Sequence, residues 1–310
     1  MSGSSTGSIT QVRSIIQVFE NANAMTIDYD KIKNWPFPEV EQTYTEKDSI
    51  LYALGVGYGH DPMDEAQLQF VYEKKLKAVP TMPVVLGYPG FWIKDPASGI
   101  DWVKIVHGEQ ALTIHRPIPA AGTIVGRTRI KAIVDKGKDK GALLVQERSI
   151  VDKASGVLLA TLEHITFCRG DGGFGKGDEA PPSPPAVPEG APDAICDLPT
   201  MPQAALIYRL CADPNPLHAE PAVAKAAGFP RPILHGLCTY GVAGHAILRT
   251  FCGYQPEKLA GLSLRFSAPV YPGETIRTEM WRRDGIILFR SRALERDVVV
   301  LNNGVATINA

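Results

Sequence analysis

The sequence predicts an α+β chain in which one plan, a long helix followed by an antiparallel sheet, is used twice. Three observations predict it. The chain has 310 residues, more than one compact domain usually holds. Residues 169–192, RGDGGFGKGDEAPPSPPAVPEGAP, are rich in glycine and proline and poor in apolar residues, so they read as a linker between comparable parts. The parts also echo one another. LTIHRPIPAAGTIVGRTRI (112–130) resembles LRFSAPVYPGETIRTEMW (264–281), with Thr123-Ile124 matching Thr275-Ile276 and Pro117 matching Pro269 at one offset of 152 residues. Tyr52-x-Leu54 matches Tyr208-x-Leu210, and Pro83–Gly87 matches Pro232–Gly236. An internal duplication accounts for a shared order of features. The expected division is a tail over 1–27, a first domain over 28–168, a linker over 169–194 and a second domain over 195–310.

The elements follow in order. Helical segments open the halves at 46–57 and 200–212. Ala219–Ala227 is a short helix-prone stretch stopped by Gly228 and two prolines. A longer helix is expected over 236–251, where Leu237, Tyr240, Ile247, Leu248 and Phe251 fall mostly at helical spacing. Runs that alternate apolar and polar residues then close each half: 110–118, 123–134, 142–151 and 157–168 in the first, and LSLRFSAPV, ETIRTEMW, IILFRSRAL and VVVLNNGVATI in the second. Pro-Gly and Asp-Gly breaks between them mark an antiparallel sheet.

Composition excludes several functions. Hydrophobic residues make up 45% and charged residues 21%, ordinary for a globular chain. With 32 basic and 33 acidic residues the net charge is −1, so nothing points to a nucleic-acid partner. Five scattered cysteines without a CxxC pair argue against a disulfide framework or zinc cluster. No apolar run is long enough for a membrane span. The polar start MSGSSTGSIT lacks the apolar core of a secretory signal, and the end VATINA is not a peroxisomal address, so a cytoplasmic protein is expected. There is no GxGxxG fingerprint, Walker loop or GxSxG elbow, and no cofactor or metal is expected.

The densest polar cluster in an apolar setting is YRLCADPNPLHAEP, 208–221. Asp213, Asn215 and His218 lie within six positions, stiffened by Pro214 and Pro216. A carboxylate, an amide and an imidazole held on one rigid turn grip a water from three sides, and the carboxylate or imidazole draws off its proton. The bland alternative is a helix end with a surface histidine. His235-Gly236 then opens the long helix, whose first amides lack internal partners and lie at the positive end of the dipole. Gly236 there makes a candidate oxyanion hole for a thioester carbonyl; the alternative is a glycine that relieves crowding. The first half has Gly57, Pro62 and Leu86 where the second has Asp213, His218 and His235, so it is expected to lack chemistry. His60, His107, His115, His164 and His245 show no metal-ligand spacing.

These residues carry a resemblance. Asp213-Pro-Asn215-Pro-Leu-His218 and Ile233-Leu-His-Gly-Leu-Cys238 resemble the hydratase 2 motif of the MaoC-like (R)-specific enoyl-CoA hydratases and the segment after it. Tyr52–Gly57, Phe70-Val-Tyr-Glu73, His107-Gly-Glu-Gln110 and Gly172-Gly-Phe-Gly175 resemble the amino-terminal half and linker of the double-hotdog form, as in the hydratase 2 unit of peroxisomal multifunctional enzyme type 2. One departure is Ala212, where the motif usually has glycine.

The resemblance implies two hotdog domains packed as a pseudo-dimer, and hydration of trans-2-enoyl-CoA to (R)-3-hydroxyacyl-CoA. It implies Asp213 and His218 as the acid–base pair, Asn215 as the amide that holds the water, and Gly236 as the oxyanion donor. Glu73 matches a family carboxylate, catalytic or part of an inter-domain salt bridge. Tyr208, His235 and His107 match supporting positions. Val84 and Val85, in the apolar run before Tyr88, are candidates to line an acyl tunnel freed by loss of the first half's own site. The expected partner is an acyl-CoA substrate, the expected assembly a homodimer. Rival readings are a hotdog thioesterase, a dehydratase of carrier-bound or non-CoA substrates, and a non-catalytic acyl-CoA binder. Peroxisomal location is the alternative if a partner domain carries the signal.

Overall fold

A computed structural model describes residues 27–211 and 213–309. The tail expected over 1–27 lies outside the described residues apart from Ile27, and so does Ala212.

Ten antiparallel strands form one continuous sheet in the order β1-β3-β4-β5-β2-β7-β10-β9-β8-β6. The first half supplies β1 (Val40–Tyr44), β2 (Ile105–Ile114), β3 (Gly122–Asp135), β4 (Ala142–Asp152) and β5 (Leu158–Cys168). The second supplies β6 (Ala194–Pro199), β7 (Leu259–Phe266), β8 (Thr275–Arg283), β9 (Ile286–Ala293) and β10 (Val298–Ile308). Each half therefore repeats one order, with β2 and β7 meeting at the seam. At that seam Ala111 pairs with Ser263. These positions are counterparts at the offset of 152 residues, so a pseudo-twofold axis passes between them, as in an isologous dimer. β1 and β6, which close the two outer edges, are short and lie outside the alternating runs read from the sequence.

The helices are α1 (Tyr29–Lys33), α2 (Glu46–Gly55), α3 (Leu68–Val71), α4 (Ala204–Tyr208), α5 (Pro221–Ala226) and α6 (Gly236–Cys252). Only α6, with 17 residues, is the long helix of the plan. Twelve of its residues are buried, and Gly253 ends it in the left-handed region at φ +55. It packs on both halves. A Cβ at Gly241 would meet Val56 Cγ1 at 2.4 Å, and one at Gly244 would meet Thr81 Cγ2 at 2.5 Å, so glycine is what allows this approach.

The expectation of a long helix in each half is corrected here. Where the first half would carry it, Trp92–Lys94, Pro96–Ser98 and Trp102–Lys104 form single 3-10 turns. The reason is local: Gly87, Gly90 and Gly99 hold φ of +59, +84 and +67, and Pro89 and Pro96 remove helix donors. The two-hotdog plan stands, with one helix short.

The inward face of the first half consequently has an unusual lining. Along β4 every second residue faces inward. Ala142 and Leu144 join one apolar core with Ile32 and Ile133, and Ile150 joins the main core with Tyr52 and Leu162. Between them the inward positions are Gln146 and Arg148, both buried. Residues 169–193 contain no helix or strand. Asp135 nonetheless holds Gly173 and Gly175 by their amides, at 2.7 and 2.8 Å, and Asp178 accepts from Tyr29 and Lys33, at 2.9 and 2.8 Å.

Candidate active site

Three segments of the second half build the site. Pro216–His218 forms a 3-10 turn that Asn215 caps, its Oδ1 accepting from the Leu217 amide at 3.1 Å. Asp213 is fixed from the same side: its Oδ1 accepts the Asn215 amide at 3.0 Å. Asp213 and His218 thus sit at the two ends of one rigid turn. Asn215 acts first as the brace of that turn, and its side-chain NH2 remains available as a donor.

His218 is buried, and its Nδ1 lies 2.8 Å from the Ile233 carbonyl. A carbonyl only accepts, so Nδ1 carries the proton and Nε2 bears the lone pair. That Nε2 stands 4.0 Å from Asp213 Oδ2. Burial lowers the His218 pKa from its ordinary value, against the opposing pull of the Ile233 hydrogen bond and of Asp213, so the imidazole is neutral at pH 7.

His235 stacks on His218 with ring centroids 3.7 Å apart, and its Nε2 lies 3.2 Å from the Asp213 carbonyl. Burial, with the neighbouring His218, brings its pKa down to about 4. Tyr208 closes the far side, 5.1 Å from the His235 ring. Tyr208 Oη and His235 Nδ1 are buried without a protein partner among the described residues.

His235 is also the residue before α6, and its side chain does not cap the helix. The Gly236 amide, the first of a long helix, has no acceptor inside the helix and lies at its positive end. A Cβ at Gly236 would lie 3.3 Å from the Phe266 ring, so glycine keeps this amide approachable.

A carboxylate oxygen of Asp213 and ring nitrogens of His218 and His235 lie within 4.8 Å of one another, a donor set of the kind that holds a metal. Their arrangement is poor for it. Imidazole lone pairs lie in the ring plane, and two rings stacked at 28° direct them side by side instead of toward one point.

The other residues singled out from the sequence are dispersed. His107, in β2, stacks on His164 at 3.7 Å and lies 4.6 Å from Phe266, which connects it to Gly236. Val84 and Val85, in the 3-10 turn Met82–Val85, are buried in the core shared by both halves. Glu73 is exposed in the turn after α3, and no ion pair to it exists among the described residues. Two residues were missed: Phe266, which borders Gly236, and Arg148, whose guanidinium lies 5.7 Å from the ring of Tyr88 at the end of the apolar run expected to line the tunnel. For Arg148 the available signal was its register: it and Gln146 are the polar members of an otherwise apolar inward row.

Fold and site together define a double hotdog of the MaoC type. Residues 185–303 match the MaoC-like domain family, and residues 42–170 match the MFE-2 hydratase 2 N-terminal domain family. The chain is 42% identical over 296 residues to the probable enoyl-CoA hydratase 2 of Dictyostelium discoideum, covering 92% of this chain and 97% of that one. It is 37% identical to the peroxisomal multifunctional enzyme type 2 of Mus musculus, over 86% of this chain and 36% of that one. Among solved structures, the MaoC-like dehydratase from Phytophthora capsici superposes with a TM-score of 0.79 at 37% identity, covering 90% of this chain and 98% of that one. The chain belongs to the MaoC-like hydratase 2 family.

Proposed function

We propose that the protein is a hydro-lyase that reversibly adds water to trans-2-enoyl-CoA, giving (R)-3-hydroxyacyl-CoA in fatty acid metabolism. The carrying observation is the 4.0 Å gap between Asp213 Oδ2 and His218 Nε2, two acceptors on residues packed against His235, which directly precedes the first amide of α6. A water about 2.8 Å from each would subtend an angle of about 90°, close to what its two O–H bonds require. Its lone pairs are then free to face carbon.

The thioester oxygen accepts from the Gly236 amide. Water oxygen attacks C3, and the C2=C3 pair moves onto the thioester oxygen as an enolate, stabilised by that amide and the helix dipole. One water proton passes to Asp213 or His218. The enolate collapses, and the same group returns the proton to C2. Hydroxyl and hydrogen arrive from one side, so the addition is syn. Asn215 Nδ2 supports the water, and His235 and Tyr208 hold the wall behind His218. The first half contributes no acid–base pair and accommodates the acyl chain along Val84 and Val85.

The test is hydration of crotonyl-CoA with chiral analysis of the product. An (R)-3-hydroxyacyl-CoA product supports the reading, whereas release of free CoA without hydration makes the site a thioesterase. A homodimer, to be checked by light scattering, and a cytoplasmic location complete the proposal. The peroxisome, in the name of the mouse relative, is the alternative compartment. Among the described residues no helix is long and apolar enough to cross a membrane.

A further inference from the structure

The inward face of the first half holds a cation that no acid among the described residues balances. Arg148, on β4, is 9% exposed. Its Nη2 donates to the Val84 carbonyl at 2.9 Å, and its Nε has no partner among the described residues. A buried guanidinium without a counter-charge is costly, and proteins retain one where a ligand supplies the missing charge. The nearby acids do not supply it. Glu147 and Glu163 face the opposite side of the sheet, where they pair with Arg129 and Lys131. The groups that share its face are neutral. His164, on the adjacent strand, and His107 beyond it are both held below their ordinary pKa by burial.

Arg148 also lies along the wall of the site. Its register partner on β5 is Leu162; His164, two residues along β5, stacks on His107 of β2, which lies 4.6 Å from Phe266 on β7, the residue that borders Gly236. On the other side the Tyr88 ring lies 5.7 Å from the Arg148 guanidinium. Burial raises the Tyr88 pKa, Arg148 opposes the rise and the Asp213 carboxylate adds to it, so the Tyr88 phenol senses both charges. This is the half whose helix is missing and which, in the reading above, receives the acyl chain.

We propose that Arg148 is a specificity residue that receives a carboxylate carried by the acyl chain, so that the favoured substrates are CoA monothioesters of unsaturated dicarboxylic acids. The inference rests on the hydratase reading. One carboxylate matches one guanidinium in charge, and its two oxygens fit the planar fork of Nε and Nη. A CoA phosphate suits the position less well, because Arg148 is nine-tenths buried on the half that receives the acyl chain.

The experiment compares trans-2-enoyl-CoA substrates of six, eight and ten carbons with their counterparts bearing a terminal carboxylate, in wild type, Arg148→Met and Arg148→Lys. The expected wild type favours the carboxylated member at one or more lengths by about tenfold in kcat/KM, as a hydrogen-bonded charge pair allows. Arg148→Met abolishes or inverts that ratio, and Arg148→Lys retains part of it. Wild type with no preference at any length overturns the proposal while leaving the hydratase reading intact. So does an Arg148→Met loss equal on both series, which makes Arg148 a CoA contact or a structural residue. Hydration of neither series sinks the hydratase reading itself. The wild-type ratio decides the matter even if the variants do not fold.

Discussion

His218 Nε2 and Asp213 Oδ2 face each other across 4.0 Å while the opposite nitrogen of the same ring is pinned 2.8 Å from the Ile233 carbonyl. The pin decides the tautomer, and the tautomer makes both facing atoms acceptors. Removing either leaves no pair of groups to hold a water between them and shuttle its proton. Asp213→Asn and His218→Ala should each lower kcat for crotonyl-CoA by at least ~100-fold. The fold should survive, since the turn buries little apolar surface. Turnover near wild type in a folded variant, judged by circular dichroism, would refute the assignment.

The oxyanion role of Gly236 lends itself to a sharper test. His235 has φ −59 and ψ 136, a conformation that tolerates a following proline. Proline is also accepted at the first position of a helix. Gly236→Pro therefore deletes the amide hydrogen while leaving α6 able to form. Gly236→Ala adds a comparable Cβ against Phe266 but keeps the amide. The proline variant should fall below the alanine variant by ~100-fold or more in kcat, the loss of one oxyanion donor. Equal activities would mean that the amide does not stabilise the transition state.

Much of this was legible in the sequence, and the seam shows why. The offset of 152 residues is the offset at which Ala111 meets Ser263 on the pseudo-twofold axis. Duplicated strands keep their period-two pattern because each buries one face, so the pattern survives divergence. The Asp213–His218 turn was legible because prolines and an Asx cap act locally. The missing helix is where the pattern misleads: a duplication predicts that every element recurs, and Gly87, Pro89 and Gly90 prevent it in the first half. The proposed role of Arg148 was illegible because it depends on the lining that the neighbouring strands supply. β1 and β6 escaped notice because five or six residues at an edge carry little alternation.

Because the proposed acid–base pair lies wholly in the second half, fragment 28–168 should not hydrate crotonyl-CoA. Installing Asp at Gly57 and His at Pro62 should not create a second efficient site either. Gly57 holds φ +88, where a side chain is strained, and no long helix follows to present an amide. Measurable turnover by the fragment would contradict the division of labour.

Stability should fall on the acid side, and the sign follows from the histidines. His245 is 1% exposed, stacks on Tyr58 at 3.7 Å, and has its ring nitrogens 3.3 Å from the Val56 carbonyl and 3.1 Å from Tyr254 Oη. Burial holds its pKa down to about 4. An unfolded imidazole titrates near ~6.5, so below that pH the unfolded chain binds the extra proton. The stabilisation is complete above ~6.5 and is lost as pH falls toward ~4, by about 3 kcal/mol for this one group. His245→Gln should be less stable at neutral pH yet show a shallower loss in urea denaturation between those limits. An unchanged slope would count against a buried neutral imidazole. His218 shifts in the same direction. Turnover should therefore persist below the ordinary imidazole range before it falls.

The proposed acyl path follows from the missing helix. Where α6 fills the second half, the first has the turn Met82–Val85, with Val84 and Val85 only 3% and 5% exposed, followed by irregular chain. A chain of carbons lying there displaces nothing as bulky as a helix, and each methylene it buries contributes ~0.8 kcal/mol to binding. The enzyme should then act on medium or long enoyl-CoA as well as crotonyl-CoA. Phenylalanine at either valine adds a ring to a closely packed wall. A four-carbon substrate ends near the Gly236 amide and should be affected little, whereas an eight- or ten-carbon substrate must pass the new ring. Val84→Phe and Val85→Phe should therefore lower kcat/KM for long chains at least tenfold more than for crotonyl-CoA, equivalent to the loss of about two buried methylenes. Loss uniform across chain lengths, or a wild type restricted to four carbons, would place the acyl path elsewhere and leave the Asp213–His218 assignment untouched.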